Sequence, residues 1–522
     1  MTEKHYDVIV LGRSLGALVT AALLSRRDFR VLVLGQGARP PSYRWGRHVL
    51  RRSAFTMLFA SSPAWKRVLV ELAQTQTFRR RAIPLDPMVQ LFLHDRRIDF
   101  PPDIKLFERE IEREFPEVRR VIDDLYTQLT HVNAAVDAVF ERDAVWPPGT
   151  FWERRETGRL VASLPYARPE PGFDLLGDLP ASHPYRELTA YLSRFASHLS
   201  HAKLPPLAVA RLHGSWLRGV HALARGEDEL SEFLLERIEA HGGTCRLDDR
   251  ATRIYVDRRG VTGVLIDGEA AATGASFVVA DCSGEQLAEL SEGQGILKRA
   301  EREWPEVRAS RARFVMSILV RTAGLPDPLG REVVIVPRDE RELPLHIVRL
   351  DPAAEIDASR EARGESLLVV EALIPAQRAD EPMEGVGREK ILDALGRSLP
   401  FLNRHLLAVD SPHDGRPLWL FENDAAGSPT KNVERVRLRG ASSAAEPMAV
   451  LWAVEGPSYL SLAGEPVRGP IGRSLLVGSS VLPALGQEGE LLAAWSAVRV
   501  ITRTDGQKER IRRSMWSKVE LG

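Results

Sequence analysis

Short apolar runs alternate with Ala- and Leu-rich or amphipathic stretches at both ends of the chain. Asp7-Val8-Ile9-Val10-Leu11 lacks the alternation of a half-exposed strand and predicts a strand buried on both faces. Gly12 ends it. Leu15 to Leu24 predicts a helix, Arg30 to Leu34 a second buried strand, and Gly35-Gln36-Gly37 a break. The order is a βαβ unit. A second regular region starts with a helix from Asp228 to His241, whose stripe is Leu230, Phe233, Leu234, Leu235 and Ile238 and which stops at Gly242-Gly243. Strands are predicted over Thr244 to Leu247, Ala251 to Val256 and Val261 to Ile266, with Asp257-Arg258-Arg259-Gly260 as a turn. Ser276 to Ala280 is another buried strand, followed by Asp281-Cys282-Ser283-Gly284. Near the end, a short strand from Ser474 to Val477 runs through a Gly- and Pro-containing loop into a helix from Glu490 to Arg503.

The intervening pattern is different. Ala38 to Arg52 reads as a Pro- and Arg-rich loop and Ser53 to Leu72 as a helix. Val89 to His94 and Arg97 to Phe100 predict a hairpin about Asp95-Arg96. Ile104 to Phe115 and Glu117 to Phe140 predict amphipathic helices separated by Pro116. Residues 144–184 read as Pro-rich loop with short helices, Tyr185 to Ser200 as a helix, and Leu204 to Gly226 as a return to regular structure. Strands over Phe314 to Val320, Glu332 to Val336, Leu345 to Val348, Ser366 to Leu373 and Ala449 to Trp452, with a helix at Gly387 to Ser398, predict a mixed sheet with covering helices.

Composition narrows the function classes. The 522 residues suffice for two or three domains. Lys+Arg and Asp+Glu are both 71, so no global charge argues for nucleic acid. The two cysteines, Cys245 and Cys282, form no Cys-x-x-Cys, which leaves disulfide, zinc and iron–sulfur scaffolds without support. His201, His213 and His221 have no metal-ligand spacing and read as surface or core histidines, so no metal is expected. The polar N-terminus running straight into a strand is unlike a signal peptide, and no apolar run reaches the roughly 18 residues of a spanning helix. A reducing cytosol is the expected location. Phe29 to Val70 holds no acidic residue but many arginines, read mostly as a solvated basic face, with phosphate or lipid contact for those nearest the first loop.

The first loop carries the candidate chemistry. Glycines between a strand and a helix let backbone N–H groups approach a pyrophosphate, and the helix dipole favours the anion. In the G-x-G-x-x-G frame Gly12 holds the first place, Ser14 the second and Ala17 the third, with an additional Gly16. The acidic residue that would bind a ribose hydroxyl is replaced by Gly35, leaving Gln36 as the nearby polar group. Gly12 and Gly16 read as cofactor loop or as tight strand–helix packing. Arg13 reads equally as a phosphate clamp and as an arginine that is superficial or plugs an empty site.

Three separated segments in this order resemble the phytoene desaturase and carotenoid isomerase branch of the flavin amine oxidase superfamily. The resemblance rests on the first βαβ unit and on AIPLDPMVQLFLHDRRIDFPPD, LLERIEAHGGTCRLDDRATRIYVDRRGVTGVLIDG, ILDALGRSLPFLNRHLLAVDSPHD and LLVGSSVLPALGQEGELLAAW. It implies an α/β fold: a Rossmann-like FAD-binding domain assembled from residues 1–85, 204–300 and 465–510, plus a mixed-sheet α+β substrate domain from 86–203 and 301–464, with 511–522 as a basic tail. It implies non-covalent FAD and a desaturase or isomerase acting on a long apolar substrate such as a carotenoid or prenyl lipid. Gly12, Gly16 and Ala17, with Arg13 and Ser14, match the pyrophosphate loop, and Gln36 and Arg47 stand near it. Ile254 lies in the strand whose backbone helps hold the adenine in that family. Gly478, Ser479, Pro483, Gly486 and Gly489 match the last motif, where a helix N-terminus meets the flavin ring. No catalytic side chain is assigned, because hydride removal from a polyene is the flavin's chemistry.

Several residues depart from that family's pattern. Ser14 stands for a Gly, Gly35 for the ribose-binding Glu, and Ser479 where many relatives carry Asp; Gly-Gly-Arg survives only as Trp45-Gly46-Arg47. The alternative is therefore a non-catalytic protein of this fold that has lost FAD and binds a lipid or protein partner, as Rab GDP-dissociation inhibitors do on a related scaffold. Peripheral membrane contact is expected from the substrate class and from Arg512, Arg513, Met515, Trp516 and Lys518 in the tail, which also read as a frayed basic end.

Overall fold

The computed structural model describes residues 4–505 apart from 47, 94–95, 171, 202, 299, 301–303, 339–341, 351–363, 377–386, 424–428, 434–444 and 457. The βαβ unit forms as its pattern predicts. Strand His5–Leu11 is followed by helix Leu15–Arg26 and strand Val31–Leu34, and Val8 to Leu11 and Val31 to Leu34 are wholly buried. Burial on both faces explains why these strands read as continuous apolar runs. The two strands pair in parallel, Val8 opposite Val31 and Leu11 opposite Leu34.

They sit inside a 7-stranded sheet. Thr244–Arg246 extends it in parallel beyond Val31–Leu34, and Thr273–Ala280 pairs in parallel with His5–Leu11 on the other side. Ser474–Leu476 pairs in parallel with the second half of Thr273–Ala280, so segments about 200 residues apart in sequence share one sheet. The antiparallel pair Ala251–Asp257 and Gly260–Ile266 joins at the first half of Thr273–Ala280. The loop helix lies against the last helix, Gly486–Thr504, whose residues are almost all buried.

The second body is a 10-stranded mixed sheet. Its spine is Glu306–Arg321, which pairs with Glu365–Pro375 along most of its length, with Ala449–Glu455 at its start and with Leu406–Asp410 at its end. The hairpin Val89–Leu93 and Arg96–Phe100 completes the far edge through a parallel pairing with Glu332–Val336. The fold is thus α/β, with a Rossmann-like parallel-sheet body and a mixed-sheet body.

The structure corrects several local expectations. Residues 38–52 are not wholly loop: Ser42–Trp45 and His48–Arg51 form a hairpin because Tyr43 and Leu50 both reach buried positions. The helix expected from Ser53 to Leu72 is confined to Pro63–Glu71, where Ser62 caps the N-terminus and Pro63 occupies the first turn. Leu204 to Gly226 holds the helix Pro206–Leu217. The spine strand begins eight residues before its predicted start (314 − 306), because Glu306 to Arg311 is largely exposed, polar sequence ordered by backbone pairing with Ala449–Glu455 and by the Arg308–Glu455 ion pair. Arg51 and Arg52 are not a free basic face; they pair with Asp228 and Glu446.

Candidate functional site

The carboxyl ends of the parallel strands converge on Gly12, Arg13 and Ser14, the place where open α/β sheets take ligands. Gly12 has φ +112°, a conformation that favours glycine. Ser14 caps the loop helix, its hydroxyl accepting from Ala17 N–H at 3.3 Å. A capping serine explains this Gly-to-Ser departure: the side chain turns back onto its own helix.

The anion at this helix N-terminus comes from the chain itself. Asp281, just after strand Thr273–Ala280, accepts the Ser14 backbone N–H at 2.8 Å. Its carboxylate lies where a Cβ on Gly12 would be, so Gly12 makes room for Asp281. Burial pushes the Asp281 carboxyl above its usual range, while the backbone and hydroxyl of Ser14 and the backbone of Arg13 oppose that rise. Gly16 N–H donates to Glu490 Oε2 at 3.3 Å, and Glu490 Oε1 also meets His198 Nε2 at 3.0 Å. Two carboxylates therefore occupy the donors that a pyrophosphate would use. Burial also pushes the thiol of Cys282, beside Asp281, up to about 12, so it carries no nucleophilic thiolate.

The adenosine end is closed in the same manner. Gln36 has φ +54° and directs its carboxamide at the strand Ala251–Asp257. Its Oε1 accepts from Ala251 N–H at 2.9 Å and its Nε2 donates to Ala251 C=O at 3.0 Å. This paired donor and acceptor is the pattern an adenine edge would present to the same backbone, so Gln36 is committed there and is not a ribose ligand. Gly35 is fixed by packing, since a Cβ there would collide with Leu247 C=O. No side chain, acidic or otherwise, fits at 35 without moving that backbone. Ile254 is a buried core residue, and its side chain is not part of a ligand surface. Arg13 is half-buried, lies in the field of Asp248, Asp228 and Glu227, and is lowered from its usual range by burial.

The last motif serves packing at most of its positions. Cβ atoms on Gly16, Gly478, Gly486 and Gly489 would strike the carbonyl oxygens of Val477, Asp281, Ala196 and Leu482 respectively. Pro483 C=O accepts from His198 N–H at 2.8 Å, and Ser479 Oγ accepts from Trp452 Nε1 at 3.0 Å. Where the ring was expected, a buried ion pair stands instead. Arg211, 2% exposed, donates to both oxygens of Glu488 at 2.6 and 2.7 Å and meets Asp137 at 2.5 Å. Burial alone would raise Glu488; Arg211, Arg218 and the Ser62 hydroxyl outweigh it and hold the carboxyl low. The pocket beside this pair, walled by Leu58, Phe59, Leu212 and Gln487 among others, leaves about 20 Å³ open to water, room for a solvent molecule.

Of the residues singled out in the sequence, the structure gathers Gly12, Arg13, Ser14, Gly16, Ala17 and Gly478 at the sheet ends. Arg47 and the tail beyond Asp505 lie outside the described residues. Asp281 and Glu490, the decisive groups, are absent from the G-x-G-x-x-G frame. The signal for Asp281 was present all the same: a polar residue directly after a buried parallel strand points into the crevice.

No family model matches the chain, and no curated protein matches it in sequence. Solved structures do match in fold. An oxidoreductase from Methanosarcina mazei is 14% identical, with 94% of this chain and 98% of that one covered and a TM-score of 0.55. Putrescine oxidase bound to putrescine is 12% identical over 96% and 99%, with a TM-score of 0.56. Cyclohexylamine oxidase from Brevibacterium oxydans is 13% identical over 96% and 99%, with a TM-score of 0.52. Over 94–96% of its length the chain shares the fold of these oxidoreductases. That fold makes FAD the cofactor to test for, but the loop residues as arranged do not fit it: its phosphates would meet Asp281 and Glu490, and its adenine would meet Gln36.

Proposed function

We propose that this chain is a binding protein of the flavin amine-oxidase fold whose dinucleotide site is closed by its own side chains. The observation that supports it is the Asp281 carboxylate seated on the loop N–H groups beneath Gly12. Glu490 on Gly16 and Gln36 on Ala251 act in the same sense at the two neighbouring contact regions. An incoming pyrophosphate would lose these donors and face like charge at close range.

A second reading is favoured by the full-length likeness to oxidoreductases. It is an FAD-dependent oxidoreductase of desaturase or isomerase type, acting on a long apolar substrate such as a carotenoid or prenyl lipid. It requires Asp281, Glu490 and Gln36 to leave their partners before FAD enters.

The visible spectrum of the purified full-length chain, followed by FAD titration with flavin fluorescence as readout, separates the two. A colourless protein that leaves added FAD fluorescence unchanged is the expected result. A yellow protein carrying bound FAD would end the first reading in favour of the second. Asp281→Ala/Gln36→Ala in the same titration reports whether these two side chains are what closes the site.

A further inference from the structure

The helix Phe151–Val161 presents an unusual outer face. Its first two residues, Phe151 and Trp152, are 71% and 70% exposed, although large aromatics are ordinarily buried. They lie edge to face with ring centroids 5.5 Å apart, packed on each other and not into the core. The guanidinium of Arg155 lies 6.0 Å over the Trp152 ring, and Arg155 and Arg159 are both exposed.

Both acids of this helix are already paired. Glu153 is buried, completes the capping box with Thr150, and pairs with Arg468 at 2.6 Å. Glu156 pairs with Arg499 at 2.6 Å and with Arg503 at 3.5 Å. Their charge is balanced by these arginines, and the exposed face presents aromatic rings with cationic groups one and two turns further on.

We propose that this face docks on an anionic lipid surface, with Phe151 and Trp152 at the headgroup–acyl boundary and Arg155 and Arg159 against lipid phosphates and carboxylates. Aromatic rings partition to that boundary, and arginines near an anionic leaflet add attraction. The charge decides the partner class: an apolar protein groove would satisfy the rings but leave the arginines unmatched. The inference names the partner of the binding role proposed above and rests on surface residues remote in sequence from the nucleotide loop. No helix among the described residues is long and apolar enough to cross a membrane, so the contact is peripheral.

The test is cosedimentation of the full chain with vesicles of phosphatidylcholine plus phosphatidylserine, and with phosphatidylcholine alone. Wild type is expected to bind the anionic vesicles and to be released by salt. Phe151→Ser/Trp152→Ser should weaken binding about tenfold or more, and Arg155→Gln/Arg159→Gln by roughly tenfold. Ile104→Ser/Leu106→Ser, at another exposed apolar pair, should leave it unchanged. Circular dichroism checks that each variant is folded. Failure to bind either vesicle would overturn the proposal and leave the face to a protein partner. Undiminished binding by the aromatic variant would overturn it in favour of the tail. Vesicle binding by a yellow, FAD-loaded protein would defeat the closed-site reading while sustaining this one.

Discussion

Arg211 and Glu488 stand where the last motif was expected to meet a ring, and their removal has a calculable consequence. Arg211→Met preserves most of the side-chain length but deletes both bonds to Glu488 and the pairing with Asp137. Asp137 retains Arg218 at 3.2 Å, whereas buried Glu488 retains the Ser62 hydroxyl at 2.6 Å. A buried charge deprived of its partner costs about 3–5 kcal/mol. Glu488→Gln keeps one acceptor but puts an NH2 donor where the second oxygen took a bond from Arg211; the lost bond to a charged group costs about 1.5–3 kcal/mol. In Arg211→Met/Glu488→Gln no bare carboxylate remains, so the double variant should cost less than the sum of the singles by at least about 1 kcal/mol. Urea unfolding followed by tryptophan fluorescence and far-UV circular dichroism measures all three, with coincident transitions as the condition for comparing them. An Arg211→Met variant within about 0.5 kcal/mol of wild type, or strictly additive singles, would refute the reasoning.

Restoring the missing ribose carboxylate should fail: Gly35→Glu drives a Cβ into Leu247 C=O, so a fall in Tm with no gain in FAD binding is expected, and tighter FAD binding would count against the packing described. Gly16→Ala should separate the loop helix from Val477 and lower stability despite the roughly 1 kcal/mol by which propensity alone would favour Ala; an unchanged or raised Tm would contradict that close approach. Burial lowers His213 to about 4 from its ordinary 6.5, so the fold holds it neutral. Its contribution is complete above about pH 6.5 and is lost as pH falls towards 4, roughly 3 kcal/mol in all. His213→Gln should therefore flatten the loss of Tm between about pH 7 and pH 5, and an equal loss in both proteins would exclude His213 as the source.

The pattern of apolar runs determined the architecture directly. Val8 to Leu11, Val31 to Leu34 and Leu475-Leu476 are buried on both faces, and such strands announce themselves without reference to any partner. Helix positions followed from caps and breakers close in sequence, as at Pro116 and Gly242-Gly243. The hairpin at 42–51 and the first half of the spine strand escaped that pattern. Their order comes from pairing and packing with distant segments: Tyr43 donates to Asp410 at 2.7 Å, and Glu306 lies opposite Glu455. The glycine loop was legible as a strand–helix junction, but its contents were not. A backbone N–H bonds a nucleotide phosphate or an aspartate with the same geometry, and the choice between them lies 267 residues away in sequence, at Asp281. Gln36 and Ala251 meet across 215 residues for the same reason. Only the folded sheet, by bringing the ends of its parallel strands together, decides which group fills the loop.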